Sequence, residues 1–537
     1  MILAASCLAN QSGETAAAFR IRQRVHAAGD PRRTGTIRFI GPISGHDGEW
    51  IGVDWDADSG GKHDGMVNGT RYFSTRTSSS GSFVRAKALS AGISFLDAVY
   101  KRYRGESTKE EEDEMYVFST SQRRVSVELV GKDKVEEKLK KFEELLSISV
   151  SFMGVSSVDP LCHISTLLPK LKEVDLSGNL LSNWQDIASL CKALPSLQML
   201  DLTSNLMEHE VTEYPSLKNI HLLVLNNCGV TWDVVEKLKV SVPLVAELHL
   251  MANELKMIEP TAGPFVQGLN SLRLLNLEAN NIDSWDEILK LSHLRSLEEL
   301  HLNKNKLKTI YYPSSDASCV PFENLQCLLL GRNDIDDVAS VDSLNSFPSL
   351  VDIRLSENPV ADPAKGGVPR FVLIARLSKV KILNGSEISP RERRESEIRY
   401  VRLIMAKMQL NNLEEIQRAH PRFVELKALH GIEDEKLQAG GSGPQTLAST
   451  LINLTLKCVG PSMGEKQPLT KKLPPSVTVA KLIALCESFF KLKDIKLRLF
   501  LEEKGSPLPL PLDDDMATLM ELGLGTEATI IIDEELD

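Results

Sequence analysis

The sequence predicts a multi-domain chain: a small β-rich module near the N-terminus, a long α/β solenoid in the middle and a compact strand-and-helix module at the C-terminal end. Three observations predict it. A leucine-rich pattern recurs eight times, a glycine- and tryptophan-rich stretch precedes it, and a glycine break behind it isolates a last segment of alternating apolar residues. The length of 537 residues agrees, because single hydrophobic cores stop growing beyond roughly 250–300 residues.

The middle carries the strongest signal. The pattern Leu-x-x-Leu-x-Leu-x-x-Asn-x-Leu is first clear at Leu171, Val174, Leu176, Asn179 and Leu181. Its later copies centre on Asn205, Cys228, Asn253, Asn280, Asn305, Asn333 and Asn358, at spacings of 26, 23, 25, 27, 25, 28 and 25 residues. Such a period marks a leucine-rich repeat solenoid. Leu-x-Leu buries one side of a short strand, the Asn amide satisfies backbone groups where the chain turns away, and no repeat can bury its apolar face alone. Cys228 at a ladder position is read as a small, weakly hydrogen-bonding substitute rather than a redox group. Degenerate copies at Leu145–Val155, helical spacing over Val135, Leu139, Phe142 and Leu146, and the stretch from Phe371 past Pro390 read as end caps, giving a solenoid over 132–437. Its open strand face offers Met199, Leu222, Met251, Leu274 and Leu329 beside Glu299 and Arg354. Apolar residues on a surface left open by the repeats predict a protein-binding face.

Composition narrows the function. With 42% hydrophobic and 25% charged residues, the chain resembles ordinary soluble protein, and no apolar run reaches the ~20 residues of a membrane-spanning helix. The apolar stretch Ile2–Ala9 lacks the basic flank of a secretion signal, so a cytoplasmic location is expected. A net charge of −11 argues against general nucleic-acid binding. The charge is uneven: residues 20–87 hold 11 Lys/Arg against 7 Asp/Glu, a balance of +4 that leaves −15 for the rest and predicts an acidic partner for that module. The eight cysteines include no Cys-x-x-Cys pair, so neither a disulfide framework nor a metal site is expected, and no cofactor is implied. No nucleophile, base and orienter set suggests an enzyme.

From Gly29 to Gly81 there are 11 glycines in 53 residues, interleaved with Trp50, Trp55, Tyr72, Phe73 and Phe83. Short twisted strands joined by tight turns are expected over 20–90. The segments Gly35–Gly41, Trp50–Trp55, Gly61-Lys-His-Asp-Gly65, Arg71–Phe73 and Gly81–Val84 together resemble a CAP-Gly domain. That resemblance implies a groove for the acidic, aromatic-ended C-terminus of α-tubulin, formed by Lys62, His63, Asp64, Gly65 and Asn68 with Trp50, Trp55, Phe73 and Phe83. The residue types suit such a ligand, since a lysine pairs with a carboxylate, glycine backbone approaches a chain end closely, and aromatic rings wall a slot. His63 stands where the family usually has Asn and Ser74 where it often has Cys; a histidine within the motif predicts tail binding that depends modestly on pH between about 6 and 8. Gly61-Lys62 does not open a phosphate loop, because Asp56 and His63 occupy positions that need Gly and Ser/Thr. Asp54, Asp56 and Asp58 imitate a calcium loop without its glycine and its final Glu.

Residues 91–131 read as a linker carrying one short helix and a charged run at Lys109–Glu114, and 438–446 as a flexible linker. Beyond it, 447–537 predicts strand, strand, helix, strand, strand, the β-grasp order, and resembles ubiquitin-like domains without their terminal Gly-Gly. The succession of CAP-Gly, leucine-rich repeats and ubiquitin-like module resembles the tubulin-folding cofactor E family. Membership implies a cytoskeleton-associated chaperone that binds α-tubulin, acts with other tubulin-folding cofactors and an Arf-like GTPase, and assembles or dismantles αβ-tubulin. The ubiquitin-like end also permits an adaptor that links cargo to the proteasome.

Overall fold

The computed structural model describes residues 19–432 and 451–534, apart from 57–59, 105–115, 119–123, 127–139, 210–216, 314–319, 409–412, 461–462, 465, 493–494, 503–508, 513–514, 516–517, 520–521, 523 and 525–526. Of the N-terminal tail expected over 1–19, residues 1–18 lie outside the described residues, as do the Lys109–Glu114 run, Val135, Leu139 and the 438–446 linker, whereas Phe19 belongs to the N-terminal module's core. Two compact units are present: one holds residues up to Asn281 with Lys290–Leu297, the other Ile282–Leu289 with Glu298 onward.

In the first unit, the three-residue strands Ser147–Ser149, Glu173–Asp175, Met199–Asp201, Leu222–Val224, Glu247–His249 and Leu274–Asn276 pair in parallel with no register shift. In the second, Glu299–His301, Cys327–Leu329, Asp352–Arg354 and Ile382–Leu383 do the same. The central residue of each of these strands but the last is buried, so Ile148, Val174, Leu200, Leu223 and Leu248 face the core. Behind the strands run short helices such as Trp184–Ala193, capped by Asn183 and burying Trp184, Ile187, Leu190 and Ala193 along one stripe.

What locks neighbouring repeats together is the ladder amide. Asn179 is fully buried; its Oδ1 accepts from the Val155 amide at 2.9 Å, and its Nδ2 donates to the Val150 and Leu176 carbonyls at 3.0 and 2.7 Å. Asn280 accepts from Asn253 and Leu255 and donates to Leu250 and Leu277. In the second unit Asn333 accepts from Leu307 and donates to Leu302 and Leu330. Cys228 fills its rung as a weak donor: its thiol reaches the Leu202 carbonyl at 3.0 Å, and burial pushes its pKa up to about 12, which leaves an inert thiol.

The first part of the region expected to be a linker, residues 93–104, packs against the solenoid's first repeat as part of its cap. Helix Phe95–Tyr103 starts on Ser94, whose side chain accepts from the Asp97 amide, and it buries Phe95, Leu96, Ala98 and Val99. The Leu96 amide donates to Asp159 at 2.7 Å, and the Ser149 amide donates to the Tyr103 hydroxyl at 2.8 Å. Strand Ile93–Ser94 pairs with Val155–Ser157, so the first described repeat is covered by a segment some fifty residues upstream. Phe142, expected on a helix with Leu146, sits in a single 3-10 turn, Phe142–Glu144, while Leu146 is exposed.

The second unit closes with helices Arg370–Arg376 and Pro390–Met408 over a separate core of Phe371, Ala375, Tyr400 and Val401. The C-terminal module has the expected β-grasp build. Strands Ile452–Cys458 and Glu527–Glu534 pair in parallel at the centre, flanked by Leu469–Leu473 and Leu497–Glu502, with helix Val479–Phe490 packed on Leu454, Leu456, Ile530 and Ile532. No described helix is long and apolar enough to cross a membrane.

Replacing Asn280 with alanine strands two carbonyls and two amides away from water. Asn280→Ala is expected to destabilise the repeats by about 2–4 kcal/mol, from the cost of about 1–3 kcal/mol per unsatisfied buried group. Denaturant unfolding of the full chain followed by circular dichroism checks this; an unchanged midpoint would show that the amide does not carry the stacking.

Candidate functional site: the N-terminal aromatic groove

The N-terminal module is a five-stranded antiparallel sheet built on the long strands Asp30–Ile43 and His46–Trp55. Along the second of these, Ile51, Val53 and Trp55 alternate into the core with Val25, Ile37 and Leu89. Trp55 is 1% exposed and its ring is covered by the Arg33 guanidinium at 4.5 Å, so it cannot wall a groove as expected. It is a core residue.

The opposite face of the same strand carries Trp50, Gly52 and Asp54. Over Gly52 sits an aromatic cluster: Phe83 lies 5.2 Å from Phe73, 5.6 Å from Tyr72 and 6.0 Å from Phe39, and the His63 ring is tilted against it at 5.0 Å. A Cβ at position 52 would lie 2.4 Å from the Phe73 ring and 2.9 Å from Phe39 Cβ, so only glycine admits both. Residue type alone does not place Phe39 and Tyr72 at the site. Strict alternation would send Phe39 inward with Ile37, but a bulge at Arg38 shifts the register between Ile37 and Phe39 and re-aims the ring. Trp50 is half-buried farther along this face, with the Arg85 guanidinium 3.8 Å over its ring.

The Gly61–Gly65 loop rims the cluster. The backbones of Lys62 and His63 bond to the Gly81 carbonyl at 2.7 and 3.1 Å, which pins the loop to strand Gly81–Val84. The Lys62 side chain is exposed and makes no ion pair among the described residues. Asp64 is committed internally: Arg71 holds its carboxylate at 2.7 Å and its carbonyl at 2.9 Å, and the Arg71 hydrogen bond holds its pKa below the usual carboxylate range. Gly65, at φ +89°, is left-handed, and a Cβ there would strike the Phe73 carbonyl at 2.1 Å. Asn68 and Gly69, at φ +48° and +80°, form the two-residue turn of the hairpin Met66–Val67 to Thr70–Arg71. Lys62, His63, Phe73 and Phe83 thus come together at the site, Trp50 lies on its face, Asp64, Gly65 and Asn68 shape its loops, and Trp55 does not take part.

The two described aspartates of the calcium-like run are engaged within the module. Asp54 is 1% exposed and bonded by Ser80, and Asp56 is held by both Arg24 and Arg76, while Asp58 lies outside the described residues.

His63 Nδ1 accepts from the Gly65 amide at 3.0 Å, which requires that nitrogen to be unprotonated. Burial lowers its pKa below the ordinary 6.5, against the opposing pull of Asp64. The transition expected between pH 6 and 8 is therefore moved to the acid side.

On the solenoid, Met199, Leu222 and Leu274 stand in one aligned row with Glu173 and Glu247, each half-buried or exposed, and Met251 follows its strand. In the second unit Glu299 aligns with Cys327 and Asp352, and Leu329 with His301 and Arg354. The first row is mixed apolar and acidic, the second polar.

An aromatic cluster rimmed by an exposed lysine, a repeat face and a β-grasp module together define the class: a multi-domain chain that joins a small β-rich module, a repeat solenoid and a ubiquitin-like fold. Residues 21–89 match the family model described as the CAP-Gly domain. The chain is 55% identical to a tubulin-folding cofactor E of Arabidopsis thaliana, over 96% of this chain and 98% of that one. It is 31% identical to a tubulin-specific chaperone E of Danio rerio, over 90% and 94%. A solution structure of the C-terminal ubiquitin-like domain of mouse tubulin-specific chaperone e matches at 26% identity, covering 19% of this chain and 96% of that one, with a TM-score of 0.15. The chain belongs to the tubulin-folding cofactor E family.

Because the folded pKa of His63 lies below its unfolded value, its contribution to stability is complete above about pH 6.5 and declines as pH falls below it. Hydrogen exchange of the 61–84 segment in the full chain should quicken between pH 7 and 5.5, after correction for intrinsic exchange. His63→Asn should remove that acceleration; equal acceleration in both proteins would rule the histidine out.

Proposed function

We propose that this protein is a tubulin-folding cofactor that holds α-tubulin at two places and, with other tubulin-folding cofactors and an Arf-like GTPase, assembles or dismantles the αβ heterodimer. The observation that carries the reading is the groove: an aromatic cluster that accepts a ring, beside an exposed lysine that accepts a carboxylate. A chain end bearing both suits it. The half-buried Met199, Leu222 and Leu274 row supplies a second, broader contact for a folded body.

Tail binding to an open groove of this size is expected near micromolar strength, about −8 kcal/mol, and tethering it to the second contact raises avidity ~100-fold or more when both engage. Division of labour follows. The tail contact captures and orients, and the repeat face discriminates the folded partner.

The test is to mix the purified chain with αβ-tubulin and size the products. Capture of α-tubulin with loss of intact heterodimer supports the reading; tubulin that stays intact and unbound, with and without the partner cofactors, overturns it.

In a titration with a tubulin-tail peptide, Lys62→Ala should weaken binding roughly two- to fivefold, as for an exposed ion pair. Phe83→Ala should cost about tenfold or more, as for a buried aromatic anchor. Wild-type affinity in both variants would place the tail elsewhere.

A further inference from the structure

The second unit brings together three side chains that no spacing in the sequence suggests. Glu299 and His301, two residues apart on one strand, point to the same face, and Cys327 stands directly opposite Glu299 on the next strand. One donor atom from each, a carboxylate oxygen, an imidazole nitrogen and the sulfur, lies within 4.8 Å of the others. Side-chain exposures of 47% and 19% for Glu299 and His301 leave the cluster open to the solenoid's strand face.

The local electrostatics lack a cation. Asp352, one strand farther in the same row, is hydrogen-bonded with Cys327, and the His301 ring is 3.5 Å from Glu299. Arg354, two residues along from Asp352, turns away to the Ser356 hydroxyl at 3.0 Å. Among the described residues, two carboxylates, a thiol and an imidazole thus share one patch with no side-chain cation but a protonatable histidine.

The fold contains its own comparison. The first unit repeats the Glu-Leu-His strand as Glu247–His249, but there the next strand sets Leu274 opposite Glu247 and Asn276 opposite His249. Asn276 Nδ2 approaches the His249 ring at 3.4 Å. The same strand triplet without a cysteine across from it is thus filled by packing and an amide.

We propose that Glu299, His301 and Cys327 bind a divalent transition-metal ion of zinc's class, with Asp352 beside the sulfur adding a negative charge that favours the cation. Thiolate, imidazole and carboxylate together are the ligand set of zinc or cobalt(II), and three protein ligands leave a fourth position to solvent. Binding releases the thiol proton to solvent as the sulfur–metal bond forms, and the ion's charge offsets Glu299 and Asp352.

Cobalt(II) titration of the chelator-stripped full chain tests this. One equivalent should bind with thiolate-to-cobalt charge-transfer absorption and a tetrahedral ligand-field band, and zinc should displace it. Cys327→Ser should abolish the charge-transfer band, with circular dichroism showing the repeats intact, and Glu299→Gln should weaken binding without that loss. Asp352→Asn should keep the band while weakening affinity about tenfold, because it removes a negative charge beside the bound cation. Cys162→Ser and His249→Ala should change nothing. The proposal falls if the wild-type chain shows no such band, if the band survives in Cys327→Ser, or if His249→Ala removes it equally.

Discussion

A solenoid of this kind depends on how it disposes of the backbone groups at the end of each short strand. Three residues of strand give few ladder hydrogen bonds, and the chain then turns inward, where water cannot reach. The buried Asn amide resolves this by donating to carbonyls of its own and the preceding repeat and accepting amides of the preceding one, as Asn179 and Asn280 do. That bond pattern sets the strict register of the strands. The register in turn decides which side chains share a row on the open face. Both the mixed row of Met199 and Leu222 and the polar row of Glu299 and Cys327 are consequences of it.

The same logic explains what was legible in the sequence. Ladder positions, the alternation inside each strand and the β-grasp order are local in sequence, and periodicity reports them directly. The CAP-Gly loop was legible because Lys62, Gly65 and Gly81 are tied to backbone geometry. Misreadings arose where a distant partner or an irregularity decided the outcome. Helix Phe95–Tyr103 looked like a linker element because its hydrogen-bond partners Asp159 and Ser149, and the Val155 strand that pairs with Ile93 just before it, lie far along the chain. Phe39 joined the groove only through a bulge, and Trp55, whose residue type suits a groove wall, was committed to the core by its place in the alternation with Ile51 and Val53.

Cys327 shows a third kind of illegibility. Metal motifs are recognised by short fixed spacings, but in a solenoid the neighbour of a strand residue lies one repeat away, here 28 residues from Glu299. Scattered cysteines are then no argument against coordination, because the repeat supplies the proximity that a tight loop supplies elsewhere.

Charge needs the same correction. A balance of +4 over residues 20–87 suggests a basic face, yet most of its arginines are engaged within the module. Arg24 and Arg76 pair with Asp56, Arg38 with Asp54 and Arg71 with Asp64, while Arg33 and Arg85 cover tryptophan rings. The ion-paired cations stabilise loops, which leaves Lys62 at the rim and Arg85 over Trp50 as positive groups on the site's face. Under the proposed reading, recognition of an acidic chain end would rest on the rings of Phe39, Tyr72, Phe73 and Phe83 and the few charges beside them, not on a broad field. Such a site would read the last residues of a partner rather than its overall acidity, because ring contacts are short-ranged and a field of unpaired charge is not.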